Sequence, residues 1–195
     1  MTTKPRIPPL PRAEWTDSAR DIFALIGPPE TREARREAGS PANLDMVMAN
    51  HPALATAFYG FGMQLLLGSS LPDRPREIVT LRVAWRYQAA YEWAHHTRFA
   101  RALGFTEAEI AAVKDGPAAA LWSDEDRTLL RAVDQLCEHT QIDDETWAAL
   151  ANRFDRHQMM DLVFTIGHYV MLAMALSAFG VEVEEAYRTP ETALV

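Results

Sequence analysis

Residues Arg74–Arg101 read RPREIVTLRVAWRYQAAYEWAHHTRFAR. The run predicts two helices, one from about Pro75 to Arg86 and one from about Tyr91 to Leu103, the second closed by Gly104. Glu77 falls within the apolar first segment, and Glu92 within an aromatic run followed by His95 and His96. Ionisable side chains cost free energy when buried, so a cluster of them among apolar residues points to a site rather than a surface.

Glu77 and His96 are 19 positions apart. On one unbroken helix that separation is about 28 Å, so a shared site requires the chain to turn between them or a second subunit to supply one of them. The expected turn lies around Tyr87 to Ala90. A second helix beginning near Glu92 would offer unpaired backbone N–H groups that favour an anion. Glu92 stands four residues before His96 and three before His95, so these side chains are expected to be neighbours. A carboxylate that orients an imidazole suits general acid or base chemistry near neutral pH. His95 and His96 point roughly 100° apart on a helix, and His96 is the one expected to face the pocket. The spacing of Glu92, His95 and His96 is not the His-x-x-x-His pattern that sets two imidazoles on one face, and no metal is expected. His51, His139, His157 and His168 read as structural histidines.

Outward from this stretch the pattern remains helical. With 195 residues, 48% apolar and 24% charged, the chain has the composition of one globular domain with a sizeable core, or of a domain with a terminal arm. Residues 1–11 (MTTKPRIPPLP) are proline-rich and read as an extended arm. A helix is expected from about Glu14 to Ile26, ended by Gly27-Pro28-Pro29. Residues 31–37 form a short helix or a loop before the break at Ser40-Pro41. Further helices are expected over 43–50 and from Pro52 to about Leu67. Thr106-x-x-Glu109 and Ser123-x-x-Asp126 resemble capping boxes, opening helices to about Lys114 and about Glu138. Asp143 or Asp144 caps a helix through Trp147 to Phe154, and a long helix runs from about His157 to Phe179 before Gly180. No strand pattern competes, so the fold class is all-α.

Charge narrows the functional classes. The net charge is −8, which argues against a nucleic-acid partner. Residues 73–101 nevertheless carry six arginines against three acids, whereas residues 102–195 carry six basic residues against seventeen acids. A small anionic substrate fits this local excess. The single cysteine, Cys137, excludes a two-cysteine redox centre within one chain and reads as a buried thiol. The N-terminus has no apolar signal segment, so a cytoplasmic location is expected. Residues 159–180, MMDLVFTIGHYVMLAMALSAFG, approach the length of a membrane span, roughly 20 residues. Asp161, Gly167 and His168 interrupt them and acids follow. No membrane partner is expected, and this helix is read as the central helix of an all-α core or a seam between subunits.

Three segments carry a resemblance: LPDRPREIVTLRVAWRYQAAYEWAHHTRFARALGFTEAEIAAV (residues 71–113), the preceding HPALATAFYGFGMQLL, and the closing LVFTIGHYVMLAMALSAFGVEVE. Together they resemble the carboxymuconolactone decarboxylase family, which includes the AhpD-like alkylhydroperoxidases. The opening RIPPLPRAEW is similar to the arm that precedes the domain in many members. The resemblance implies an AhpD-like helical domain over 43–195, an N-terminal arm and helix over 1–42, and an obligate homo-oligomer, a trimer or hexamer with a dimer as the alternative. It maps the family's glutamate and histidine onto Glu77 and His96. The Cys-x-x-Cys pair of the redox branch falls on Ala89 and Glu92, so thiol peroxidase activity is not expected.

The family's namesake reaction implies a cofactor-free decarboxylation of an unsaturated lactone acid. His96 would then be the proton donor, oriented by Glu77 or Glu92. Arg82, Arg86 or Arg98 would bind the substrate carboxylate or lactone oxygen, while His95, Tyr91, Trp93 and Tyr87 would contribute to the pocket. A lactone isomerase or hydrolase, or a non-catalytic oligomeric ligand-binding module, are the alternatives.

Overall fold

The computed structural model describes residues 5–26, 29–40 and 42–189. The expected breaks at Gly27-Pro28 and Pro41, and the first four residues of the arm, lie outside these. Among the described residues the regular structure is helical, without strands.

The chain divides into two compact units: the described residues up to Gly68 together with Leu176–Ala186, and Ser69–Ala175 together with the described residues from Tyr187 onward. The division falls at Gly68–Ser69 rather than at residues 42–43, because the N-terminal helices pack with the helix that precedes Gly68.

In the first unit, α1 (Asp17–Ala24) is capped by Thr16, whose hydroxyl accepts from the Ala19 N–H. It is shorter at both ends than the apolar spacing predicts. It is followed by α2 (Arg32–Ala38), α3 (Asn43–Met48) and α4 (Pro52–Leu67). Proline opens α4 where a missing N–H costs nothing, and His51 Nδ1 accepts from the Leu54 N–H, a structural role for that histidine. Trp15 and Phe23 pack with centroids 4.8 Å apart, and Phe23 meets Tyr59 of α4 edge-on at 5.4 Å. The described part of the proline-rich arm is held by backbone hydrogen bonds: Arg6 and Ile7 donate to the Phe179 carbonyl, and Leu10 donates to that of Met46.

The second unit contains α5 (Asp73–Arg86), α6 (Ala90–Ala102), α7 (Glu107–Asp115), α8 (Asp124–His139), α9 (Asp144–Ala151) and most of α10 (Arg156–Phe179). The central helix is α5, not α10: Pro75 through Ala84 are all buried. Here α10 departs from the expected core role, because Met160, Phe164, Met171 and Met174 on it are about half exposed. It is long and apolar enough to cross a membrane by length and composition, with 39% of its most apolar window buried. Specific polar bonds tie its first turns down: Asp161 accepts from the Ser70 N–H at 2.6 Å and from the Ser70 hydroxyl at 2.7 Å, just ahead of α5.

Caps set the remaining boundaries. Thr106 and Glu109 complete a reciprocal capping box on α7. Ser123 accepts from the Asp126 N–H at α8, but Asp126 instead pairs with Arg74, which also binds Glu109. That arginine therefore ties α5 to the first turns of both α7 and α8.

Candidate acid–base site

The turn between α5 and α6 makes the site possible. The first helix stops at Arg86, Gln88 adopts a left-handed conformation (φ 51°), and the second begins at Ala90. This reversal lays α6 back along α5 and brings together side chains 19 residues apart. His96 Nδ1 lies 2.9 Å from Glu77 Oε2 and 3.2 Å from Oε1 within a single chain. Both residues are buried, at 6% and 2% exposure. A carboxylate partner keeps a proton on Nδ1 and leaves the other ring nitrogen, Nε2, for chemistry. The His96 ring packs edge-on against Tyr169 of α10 at 4.9 Å and against Phe99 at 5.4 Å, so its orientation is fixed on three sides.

Glu92 occupies the first turn of α6 and is 2% exposed. The expected pairing with His96 is not made: neither carboxyl oxygen of Glu92 has a hydrogen-bond partner. Sequence adjacency on one helix face was the basis of that expectation, but His96 Nδ1 is taken by α5. Burial pushes the Glu92 carboxyl well above the usual carboxylate range. The favourable field at a helix N-terminus, about 0.3–1 kcal/mol in its usual exposed setting, does not reverse this.

Tyr169 and Arg76 join the constellation, and the sequence reading missed both. Burial, followed by the charge of Glu77, raises the Tyr169 hydroxyl above its ordinary value, so it remains a neutral donor. Arg76 is buried, donates to Asp73 Oδ1 at 2.7 Å, and keeps Nε buried without a partner. The signal for Tyr169 was the polar His168-Tyr169 step inside the most apolar segment of the chain. The neighbouring His168 is itself buried, and burial pushes its imidazole down to about 4.

The arginines singled out from sequence are engaged elsewhere. Arg82 forms a two-pronged bond to Asp134 on α8, at 2.8 and 2.9 Å, and donates to the carbonyls of Val113 and Lys114. Arg86 binds Asp134 and Glu138. Both guanidinium groups are thus committed to holding α5 against α8, which corrects their reading as substrate ligands. Arg98 lies over the Tyr187 ring at 3.9 Å. His95 stacks on Tyr91 at 4.4 Å and meets Tyr187 edge-on at 5.0 Å, in surroundings distinct from those of His96. Trp93 is buried 5.7 Å from Trp85, with the Lys114 ammonium over both rings. Tyr87 lies at the end of α5 beside Cys137. Burial raises the Cys137 thiol, which makes it a poor nucleophile. Among the described residues no group of three His, Cys, Asp or Glu side chains is placed to hold a metal ion.

Residues 52–135 match the family model of the carboxymuconolactone decarboxylase family. No curated protein matches the chain by sequence. Among solved structures, the chain is similar to an uncharacterized peroxidase-related protein with an alkylhydroperoxidase AhpD core from Ralstonia eutropha JMP134, with 17% identity over 94% of each chain and a TM-score of 0.77. An uncharacterized peroxidase-related protein from Silicibacter sp. TM1040 gives 18% identity over 95% of this chain and 96% of that one, with a TM-score of 0.75. A cysteine-to-alanine variant of the debrominase Bmp8, in complex with 2,3,4-tribromopyrrole, gives 17% identity over 99% of each chain and a TM-score of 0.74. At these identities the likeness establishes a shared AhpD-like helical fold.

Proposed function

We propose that this chain, whose residues 52–135 match the model of the carboxymuconolactone decarboxylase family, is a cofactor-free acid–base enzyme acting on a small unsaturated lactone or carboxylic acid. The observation that carries this reading is the buried hydrogen bond from His96 to Glu77. In the reaction, Glu77 orients His96 and balances its charge. In the imidazolium form, His96 donates from Nε2–H to the conjugated carbonyl oxygen that receives the electron pair released with CO₂. Arg76 replaces Arg82 and Arg86 as the cation assigned to the substrate carboxylate, because its buried Nε has no protein partner. The single cysteine is raised by burial and lies outside the Glu77–His96 pair, which supports chemistry other than thiol peroxidation.

We also assign the functional unit to a homo-oligomer. The exposed Met160, Phe164, Met171 and Met174 recur at spacings of four, seven and three along α10. These are the spacings of a heptad repeat, as at a helix seam, and they support pairing with a second copy of the chain.

The test is CO₂ release from carboxymuconolactone and a panel of unsaturated lactones and dicarboxylic acids, without added cofactor. Turnover of at least one member is expected. A complete lack of turnover across the panel, with the protein folded, would remove the decarboxylase reading.

A further inference from the structure

The buried site holds two carboxyl groups with opposite surroundings. Both oxygens of Glu77 face His96 Nδ1, at 2.9 and 3.2 Å, whereas both oxygens of Glu92 are buried with no partner. Resting on the acid–base reading above, we propose that Glu92, rather than His96, is the acid that protonates the substrate carbon.

The physical case starts from the cost of burial. A carboxylate sealed from water without a donor or a cation is far less stable than the neutral acid, so such a group keeps its proton. Glu92 meets that description, and its carboxyl is displaced upward by burial alone. Glu77 has the His96 N–H to balance its charge. Two carboxyls held apart in this way divide the work, one remaining an anion that orients and the other remaining an acid that donates. Glu92 also stands one helical turn before His96 on α6, a separation of about 5–6 Å between Cβ atoms. A small conjugated acid bound between them would meet His96 with its carbonyl oxygen and Glu92 with its carbanionic carbon.

The step balances without a co-reactant other than a proton. The bond between the substrate and its carboxylate breaks, CO₂ leaves, and the electron pair passes into the conjugated carbonyl to give a dienolate. That pair then forms a C–H bond with the Glu92 proton, leaving Glu92 as a carboxylate. One proton from solvent restores the acid, so the net change is carboxylate plus proton to CO₂ plus the protonated product. The surroundings that make Glu92 hold its proton also favour its recovery after each turnover.

Infrared difference spectroscopy and kinetics together test the assignment. At neutral pH the wild-type protein should show the carbonyl stretch of a protonated carboxylic acid, lost in Glu92→Gln and retained in Glu77→Gln. With carboxymuconolactone, or a panel lactone that is turned over, Glu92→Gln should lower kcat by about 100-fold or more with little change in KM. Glu92→Asp should recover part of that loss. Absence of the acid band in the wild type, its persistence in Glu92→Gln, or kcat of folded Glu92→Gln within tenfold of wild type would overturn the proposal. Loss of turnover in His96→Ala with full turnover in Glu92→Gln would overturn this assignment alone. No turnover by the wild type on any lactone would overturn both this assignment and the reading on which it rests.

Discussion

Glu77 Oε2 on α5 and His96 Nδ1 on α6 are 2.9 Å apart, although 19 residues separate them in the chain. A left-handed residue at Gln88 and a two-helix reversal are what make this contact possible. The bond is buried, so losing either partner leaves the other without compensation in a low-dielectric setting. The site is thus a tertiary construction supported by the central helix, with Tyr169 of α10 closing against the imidazole.

His168 should make the protein acid-sensitive. Its imidazole is pushed down to about 4 by burial, whereas its ordinary value is 6.5. Between those values the unfolded chain binds a proton that the native protein does not, so stability falls as pH is lowered from 6.5 towards 4. The loss at the lower end is up to about 3 kcal/mol. Urea unfolding at pH 7 and at pH 4.5 should show a smaller difference for His168→Gln than for the wild type. An equal difference in both proteins would remove His168 as the source.

Arg82 should behave as a structural residue. Arg82→Ala leaves Asp134 with Arg86 as its remaining guanidinium partner and frees two backbone carbonyls, so a stability loss of about 3 kcal/mol is expected in urea unfolding. KM of the folded variant should stay within about twofold of wild type, since each twofold change corresponds to only about 0.4 kcal/mol. Gly116 is linked to the same pair: its φ is 66°, and a Cβ there would overlap the Arg82 guanidinium. Gly116→Ala should cost about 1–3 kcal/mol through backbone strain and displacement of the guanidinium. A large rise in KM for Arg82→Ala without loss of stability would return this arginine to the substrate.

Replacing Met171 and Met174 by glutamate should dissociate the protein. Light scattering should give the wild type as a multiple of 21.9 kDa and the double variant as a single chain. A wild type that is already monomeric would contradict the assignment of the α10 face to a second copy.

How much of this was legible beforehand differs from element to element. Helix starts signalled by side chains were readable, because Thr106, Ser123 and Asp143 each accept from a backbone N–H three residues on. The rise of a helix alone required either a turn near Tyr87–Ala90 or a second subunit, and the chain makes the turn. The central helix was not readable. Long apolar runs favoured α10, while α5 carries Arg76, Glu77 and Arg82, whose burial depends on partners as far away as His96 and Asp134. The same limit applies to the site. Local spacing on α6 pointed from Glu92 to His96, whereas the bond formed is the longer-range one to Glu77. A residue such as Tyr169 enters the site only once α10 is placed beside α6.

The central claim is that turnover depends on the buried Glu77–His96 pair, and the direct measurement is kcat for CO₂ release from carboxymuconolactone, or from whichever panel lactone is turned over, by folded variants. His96→Ala should lower kcat by about 100-fold or more, and Glu77→Gln should also lower kcat through loss of imidazole orientation. Retention of near wild-type kcat by both variants, with folding intact, would contradict the account.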